Sequence, residues 1–263
     1  MSKIRKMINN PGIFVRDYLI KKHPISFGGY KISLKDEEAV EHYESNILHC
    51  NNNDNDIDVV YTWVNDNDSN WTNKKNYFYN QLIEKKQHQY FNDSASNARF
   101  NNHNELYFSI KSIRKYAPWV RNIYIITDGQ TPNLDNFEKI IIIDHKDIID
   151  SEFLPTFNSH VIEAFLHKVK GLSKYFIYFN DDVFLAKPVS KEHFFRVNGL
   201  ASFFLSNRSL KRQVKAGHIT PTLQASINSA KLIKDKLGLD FDIDTPLTHT
   251  YIPLNKDIFI DGH

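Results

Sequence analysis

Residues 175–187, Tyr-Phe-Ile-Tyr-Phe-Asn-Asp-Asp-Val-Phe-Leu-Ala-Lys, decide how this chain is read. An aromatic and β-branched run over 175–180 predicts a buried strand, and Asn180-Asp181-Asp182 ends it before apolar character resumes. In α/β folds the C-terminal edge of a strand is where ligands are held. Two adjacent carboxylates with an amide beside them are hard oxygen donors, suited to Mg²⁺ or Mn²⁺ clamped on a diphosphate. By itself an Asn-Asp-Asp is equally a solvated turn, so the assignment needs support from elsewhere in the chain.

Residues 56–71 supply it. Val59, Val60, Tyr61, Thr62, Trp63 and Val64 read as a second buried strand, closed by the polar loop Asn65-Asp66-Asn67-Asp68. A calcium loop is the competing reading of Asp-x-Asp, but the glycine and the distal glutamate of an EF-hand are missing. Ser69 or Asp68 is placed to cap a helix over about 69–90. An Asn/Ser-rich loop follows at 91–103, then a helix over 104–116 with Leu106, Ile110 and Ile113 on one face. Further strands are expected at 122–127, 139–144 and 201–205, and a helix over 158–168 capped by Asn158 or Ser159, whose N-terminus would suit an anion. Strands alternating with helices predict an α/β fold, a mainly parallel sheet with helices on both faces. The expected organisation is a basic segment at 1–24, a connecting segment at 25–55 that ends in an Asn/Asp-rich run, and one domain over 56–263.

Composition bounds the function. With 263 residues, 41% of them hydrophobic, the chain can bury one large core. A net charge of +2 argues against nucleic acid as a partner. The single cysteine, Cys50, suits a reducing compartment, and no signal peptide or membrane-spanning apolar run is read. Residues 1–22 carry Lys3, Arg5, Lys6, Arg16, Lys21 and Lys22 among apolar residues, and are expected to form short amphipathic helices on an anionic membrane surface. The competing reading is a helical appendage with solvated charges. Of the twelve histidines, His160 and His167 are expected to share a helix face, without the partners a zinc site needs. His103, His145, His193 and His218 are read as satisfied surface or core side chains.

Read together, 56–71 and 99–188 resemble the Stealth family, bacterial capsule polysaccharide hexose-1-phosphate transferases related to the animal N-acetylglucosamine-1-phosphotransferase. The resemblance rests on Val59-Val60-Tyr61-Thr62-Trp63-Val64-Asn65 with Asp68, and on Arg99-Phe100, Asn104-Glu105-Leu106, the run 116–121 and Thr127-Asp128-Gly129-Gln130. It continues through His145-Lys146-Asp147, the run 154–159, Ile162-Glu163 and Phe176 to Asp182, with a shorter likeness at Thr248-His249-Thr250, Pro253 and Lys256. It implies a Rossmann-like or GT-A-like nucleotide-sugar domain. It also implies transfer of a hexose-1-phosphate, an N-acetylhexosamine-1-phosphate by expectation, from a UDP-sugar to a polysaccharide or oligosaccharide hydroxyl, with release of UMP.

Carried over residue by residue, the resemblance makes Asp181, Asp182 and His249 catalytic, with Asp181 and Asp182 holding Mg²⁺ or Mn²⁺. Donor contacts are expected from Thr62, Trp63, Asn65, Asp68, Arg99, Asn104, Glu105, Asp128, Asn158, Ser159 and Asn180. Asn65-Asp66 stands where many members have a glycine second. The sequence ends at His263, before the family's fourth region and its phosphate-binding arginine, so weak activity of residues 1–263 is the expectation. Expected location is the cytoplasm, at the inner face of the cell membrane. Two other functions fit the same carboxylates: a glycosyltransferase that releases UDP, and an inactive module that binds a sugar nucleotide.

Overall fold

Burial on both sides accounts for the strand sequences. In β1 (Ile57–Thr62) five consecutive residues are buried, and β2 (Ile123–Thr127) is buried throughout, as parallel strands covered on two faces require. A computed structural model describes residues 11–22, 56–84, 104–196, 199–206, 208–217, 219–238 and 242–261. With β3 (Ile140–Asp144), β4 (Tyr175–Phe179) and β5 (Ile252–Asn255) the strands form one sheet in the order β3-β2-β1-β4-β5. The first four run parallel, and β5 runs antiparallel to β4.

Side chains two apart share a face of the sheet. Val59, Tyr61, Ile125, Ile177 and Phe179 point to one side, where they join Leu106, Ile110 and Ile113 of the helix Glu105–Tyr116. Val60, Tyr124, Ile126, Phe176 and Tyr178 point to the other, against Ile162 and Leu166. Ile110 and Ile113 are fully buried, each contributing about 1.5–3 kcal/mol on removal from water. The expected α/β architecture, with a mainly parallel sheet and helices on both faces, is the one observed.

The N-terminal edge of the sheet is tied by one buried acid. Asp58 is 0% exposed, and its Oδ1 accepts from Arg121 Nε at 2.9 Å and from the Asn122 amide at 3.1 Å. Its Oδ2 accepts from Arg121 Nη2 at 2.6 Å and from the Ser173 amide at 2.7 Å. The hydrogen bond to Asp58 raises the Arg121 guanidinium pKa further. One carboxylate thus joins β1 to the segments that enter β2 and β4.

Contacts divide the chain into two units, Met1–Asn46 and Ile47–His263. In the first, the described part is helix α1 (Pro11–Lys22). Its apolar positions 13, 14, 15, 18, 19 and 20 fall all round a 3.6-residue helix, so the sharply two-sided helix expected here does not form. Val15, Tyr18 and Leu19, spaced to share one arc, are about half exposed. Residues 1–10 and 23–55, including the connecting segment, lie outside the described residues. Among the described residues no helix is long and apolar enough to cross a membrane.

In the second unit, α2 (Ser69–Glu84) is capped by Asp68, whose Oδ1 accepts from the Asn70 and Trp71 amides at 2.9 and 3.3 Å. The remainder of that expected helix and the loop at 91–103 fall outside the described residues. Helix α3 (Glu105–Tyr116) matches expectation. The helix expected at 158–168 is shorter: α4 (Ser159–Ala164) breaks at Phe165, and a single 3₁₀ turn spans Leu166–Lys168. His160 and His167 therefore do not share one helix, and His167 Nδ1 bonds the Ala164 carbonyl at 3.0 Å.

The apolar stretch 201–205 is not a strand of the sheet. It makes isolated bridges, Phe195 to Ala201 and Leu205 to Leu247, and leaves Phe203 71% exposed. Among the described residues of the C-terminal third, α5 (Leu210–Lys215), α6 (Pro221–Leu237) and α7 (Lys256–Asp261) are helical. Strand β5 was unexpected because Pro253 disfavours a strand reading, yet proline is tolerated on an edge, where one side needs no amide donor.

Candidate active site

The chain leaves β1 toward β2 on one side, while β4 lies on the other side of β1. This order opens a crevice at the C-terminal ends of β1 and β4, the place where open α/β sheets bind ligands. Asn180, Asp181 and Asp182 follow β4 there, in a turn closed by the Val183 amide on the Asn180 carbonyl at 3.1 Å. The turn is anchored below. Ser109 Oγ on α3 donates to the Val183 carbonyl and shares a 2.6 Å hydrogen bond with the Tyr61 hydroxyl, while Ser112 Oγ accepts from the Leu185 amide at 3.0 Å.

Burial raises the Asp181 pKa to about 6, with the neighbouring charges of Asp182 and Glu105 adding to the shift. Glu105 stands at the first turn of α3, and its charge is felt at Asp181. The sign for stability follows from linkage. An ionised Asp181 disfavours the fold, so its cost is absent below the unfolded carboxylate range and complete above about pH 6. Asp181→Asn is expected to raise the stability of the metal-free chain at pH 8 by about 1–3 kcal/mol, discounted for partial exposure. The gain should fade as the pH falls from 6 toward 4, and denaturant titrations at both ends of that range measure it.

His249 reaches the same place through the sheet. Because β5 is antiparallel to β4, the residues just before β5 lie beside the end of β4. His249 Nε2 sits 3.2 and 3.3 Å from the two carboxylate oxygens of Asp182, across 67 residues of sequence. Asp182 and His249 are both exposed.

A second polar group underlies the crevice. Thr62 Oγ1 and the Tyr178 hydroxyl share a 2.8 Å hydrogen bond, and Tyr178 also donates to Asn180 Oδ1 at 3.3 Å. Burial pushes the Glu163 carboxyl up, while the nearby His160, Tyr178 and Ser159 side chains oppose the shift. Burial likewise raises the Tyr178 hydroxyl pKa. Asn158 caps α4, its Oδ1 accepting from the His160 amide at 3.1 Å.

The β1 loop is fixed by Gln130, which is 7% exposed. Gln130 Oε1 accepts from the Asn65 amide at 2.8 Å, and Nε2 donates to the Asn65 carbonyl at 2.9 Å and to Asp68 Oδ2 at 3.2 Å. The bond from Gln130 is the largest influence lowering the Asp68 pKa, so this carboxylate serves the helix cap and the loop. Trp63 is 7% exposed inside the core cluster, where its indole stabilises the fold. Asp128 forms an ion pair with Lys74 at 2.7 Å at the end of β2. Asn104 is exposed and precedes α3 with φ of 71°, and its side chain makes no capping bond. Arg99 lies outside the described residues.

The structure therefore brings Asp181, Asp182 and His249 together, with Thr62 and Asn180 linked through Tyr178. Asn65 and Asp68 form a separate clamp. Sequence reasoning did not place Tyr178, Glu163, Ser109, Gln130 or Lys74 in the site. Tyr178 reads as one more aromatic of the strand, and only its position two residues before Asn180, on the same face, signals its role. Among the histidines, His193 Nε2 and the Tyr251 hydroxyl are 2.7 Å apart. His145 departs from expectation: it is 3% exposed and neither ring nitrogen has a hydrogen-bond partner. His103 and His218 lie outside the described residues.

An α/β sheet with paired carboxylates and an imidazole at its switch point defines a class of ligand-transforming enzymes, and comparison with known proteins narrows the class. A model of Stealth protein conserved region 1 matches residues 55–82, and one of Stealth protein conserved region 2 matches residues 99–203. The chain is 48% identical over 265 residues to the capsular polysaccharide phosphotransferase fcs1 of Haemophilus influenzae, covering 98% of this chain and 71% of the relative. It is 44% identical over 269 residues to the capsular polysaccharide phosphotransferase LcbA of Neisseria meningitidis, with 98% and 71% covered. An exopolysaccharide phosphotransferase of Streptomyces coelicolor is 40% identical over 209 residues, 78% of this chain and 37% of that protein. The chain belongs to the Stealth family and is a phosphotransferase.

Proposed function

We propose that the chain transfers a hexose-1-phosphate, an N-acetylhexosamine-1-phosphate by preference, from a UDP-sugar to a hydroxyl of a growing capsule or surface polysaccharide, releasing UMP. The observation that carries this reading is the His249–Asp182 pair beside Asp181 at the mouth of the crevice. It agrees with the polysaccharide phosphotransferase names of the relatives.

In this reaction the acceptor oxygen bonds to the β-phosphorus, and the bond from that phosphorus to the bridging oxygen breaks. UMP leaves with the bridging oxygen. The bond at the anomeric carbon is untouched, so the sugar keeps its configuration. His249 uses Nε2 on Asp182, which leaves Nδ1 to take the acceptor proton. Phosphoryl transfer asks the protein mainly for positioning and charge stabilisation, so no covalent nucleophile is needed.

The donor set fits Mg²⁺ or Mn²⁺ shared with the substrate. Among the described residues no three His, Cys, Asp or Glu are spaced to hold a metal. Asp181 and Asp182 would supply one or two oxygens, and a diphosphate with water the rest, as hard divalent cations prefer. When bound, the cation offsets charge that develops on the leaving phosphate.

Incubation with UDP-sugars, Mg²⁺ and capsule oligosaccharide tests the reaction class. Release of UMP is expected, whereas UDP would identify a glycosyltransferase. His249→Ala is expected to lower the rate about a hundredfold while divalent-cation affinity changes less than twofold. Equal loss of both would make His249 a metal-site residue. The cytoplasmic face of the cell membrane is the proposed location, reached through residues 1–22, where exposed Val15, Tyr18 and Leu19 accompany the basic side chains. Binding to anionic vesicles should weaken as salt rises and vanish in a chain beginning at His23. Equal binding by that shorter chain would remove the proposal.

A further inference from the structure

An exposed apolar face leads away from His249, beyond the edge of the sheet. Leu205 and Leu247 form an antiparallel bridge, held by the Thr248 amide on the Phe204 carbonyl and the Ser206 amide on the Pro246 carbonyl, each at 2.8 Å. The antiparallel sense puts Phe203 and His249 at the same end of this short ladder. Alternation sorts the side chains, so that Phe204 stacks on His193 and meets Tyr251 edge-on, while Phe203, Leu205 and Leu247 are each more than half exposed. Large apolar side chains gathered in this way mark a surface that a ligand or partner covers.

Positive charge stands at the other end of the ladder. Arg208 follows Leu205 by three residues, at most about 11 Å of chain, and Arg212 is the third residue of α5. Both are exposed, and among the described residues neither forms an ion pair. The nearby acids are engaged elsewhere: Asp242 pairs with Lys211 and Lys234 at 2.9 and 2.6 Å, and Asp244 accepts from Ser209 Oγ and the Lys211 amide. Arg212 is the weakest influence on Asp244. Guanidinium groups left without a carboxylate, at the border of an apolar face, suit the oxygens of a phosphodiester.

We propose that this face and the two arginines form the track on which the growing polymer lies as acceptor, its terminal sugar on Phe203 beside His249 and its preceding phosphodiesters on Arg208 and Arg212. The inference rests on the phosphotransfer reading above. Each transfer of a hexose-1-phosphate adds one phosphodiester, so the product is a polyanion that returns as the next acceptor. A pyranose ring carries C–H bonds on its faces and hydroxyls around its rim. Its face fits the exposed Phe203, Leu205 and Leu247, which leaves a rim hydroxyl directed at His249 Nδ1. Sugar then phosphodiester along the polymer is met by apolar face then cation along the track.

Fluorescence anisotropy of the full chain with labelled oligosaccharides cut from the capsule polymer, of one repeat and of several, tests the track without turnover. The longer oligosaccharide is expected to bind about tenfold more tightly, an advantage that shrinks as salt rises. Arg208→Ala combined with Arg212→Ala should erase that advantage and leave affinity for the single repeat within about twofold. Arg208→Lys combined with Arg212→Lys should keep most of it, because the positive charge is retained. Phe203→Ala should weaken both oligosaccharides about fivefold at an unchanged melting temperature, since the ring is exposed. Equal affinity of the unmodified chain for both lengths would overturn the track. So would an arginine variant that weakens UMP and leaves the oligosaccharides alone, because the arginines would then serve the donor. Unchanged oligosaccharide affinity in Phe203→Ala, with a smaller mass by light scattering, would assign the face to a second copy of the chain and overturn it too. The two readings fail separately: UDP as the released product sinks phosphotransfer and leaves the length pattern standing, while UMP release without that pattern sinks the track alone.

Discussion

Asp181→Asn and Asp182→Asn are each expected to lower turnover at least a hundredfold while the chain stays folded. Both side chains stand on a turn at the sheet edge, so neither substitution opens a cavity. What is lost is charge stabilisation of a transferring phosphoryl group, worth about 3 kcal/mol or more of barrier. The two variants should differ in kind. Asp182→Asn removes the carboxylate that orients His249, so its residual rate should respond little to a further His249→Ala change. Asp181→Asn leaves that pair intact and should show the larger loss of cation affinity. Initial rates with Mg²⁺, followed by UMP release, measure both, and an unmodified rate in either variant would end the assignment.

At the opposite edge of the sheet, Asp58→Ala is expected to destabilise the fold by about 3–4 kcal/mol. The carboxylate accepts from two backbone amides and twice from Arg121; both amides and Arg121 Nε lose their partner at once, while Nη2 keeps the Gly171 carbonyl at 2.9 Å. Removing one side of a buried pair costs more than the pair contributes, because the donors left behind have given up water. Urea unfolding should show the midpoint falling with an unchanged slope. A shift worth less than about 1 kcal/mol would show that water replaces the carboxylate without strain. Turnover per folded molecule should hold, since Asp58 faces away from the crevice at the start of β1.

These two aspartates also mark what the amino-acid sequence discloses. Asp181 and Asp182 interrupt an apolar strand, a local signal that needs no tertiary knowledge. Asp58 lies within an equally apolar strand, but its burial and its partners 63 and 115 residues away depend on how three segments converge. The parallel strands were legible because burial on both faces leaves continuous apolar runs. β5 was not, because its four residues include a proline and its pairing depends on β4. The stretch 201–205 has strand composition but no place in the sheet, since pairing decides a strand more than propensity does. His249 was recognisable through family likeness alone, and its place beside Asp182 comes from the antiparallel turn of β5. The polar links among Thr62, Tyr178 and Asn180 join β1 to the end of β4, and no spacing along the chain announces the bond between the two strands.

Strand β3 carries one further consequence. Four consecutive isoleucines, 140 to 143, form the outer strand of the sheet, bonded to β2 on one side, with Ile142 40% exposed. A flat apolar edge of this kind is a template for joining a second molecule strand to strand. The chain brackets the run with Lys139, in the left-handed region at φ of 57°, and with the charged Asp144. Replacement of Asp144 by an apolar residue would extend a sticky edge. Variants at this position need light scattering alongside any binding measurement, because lost solubility would otherwise pass for lost affinity.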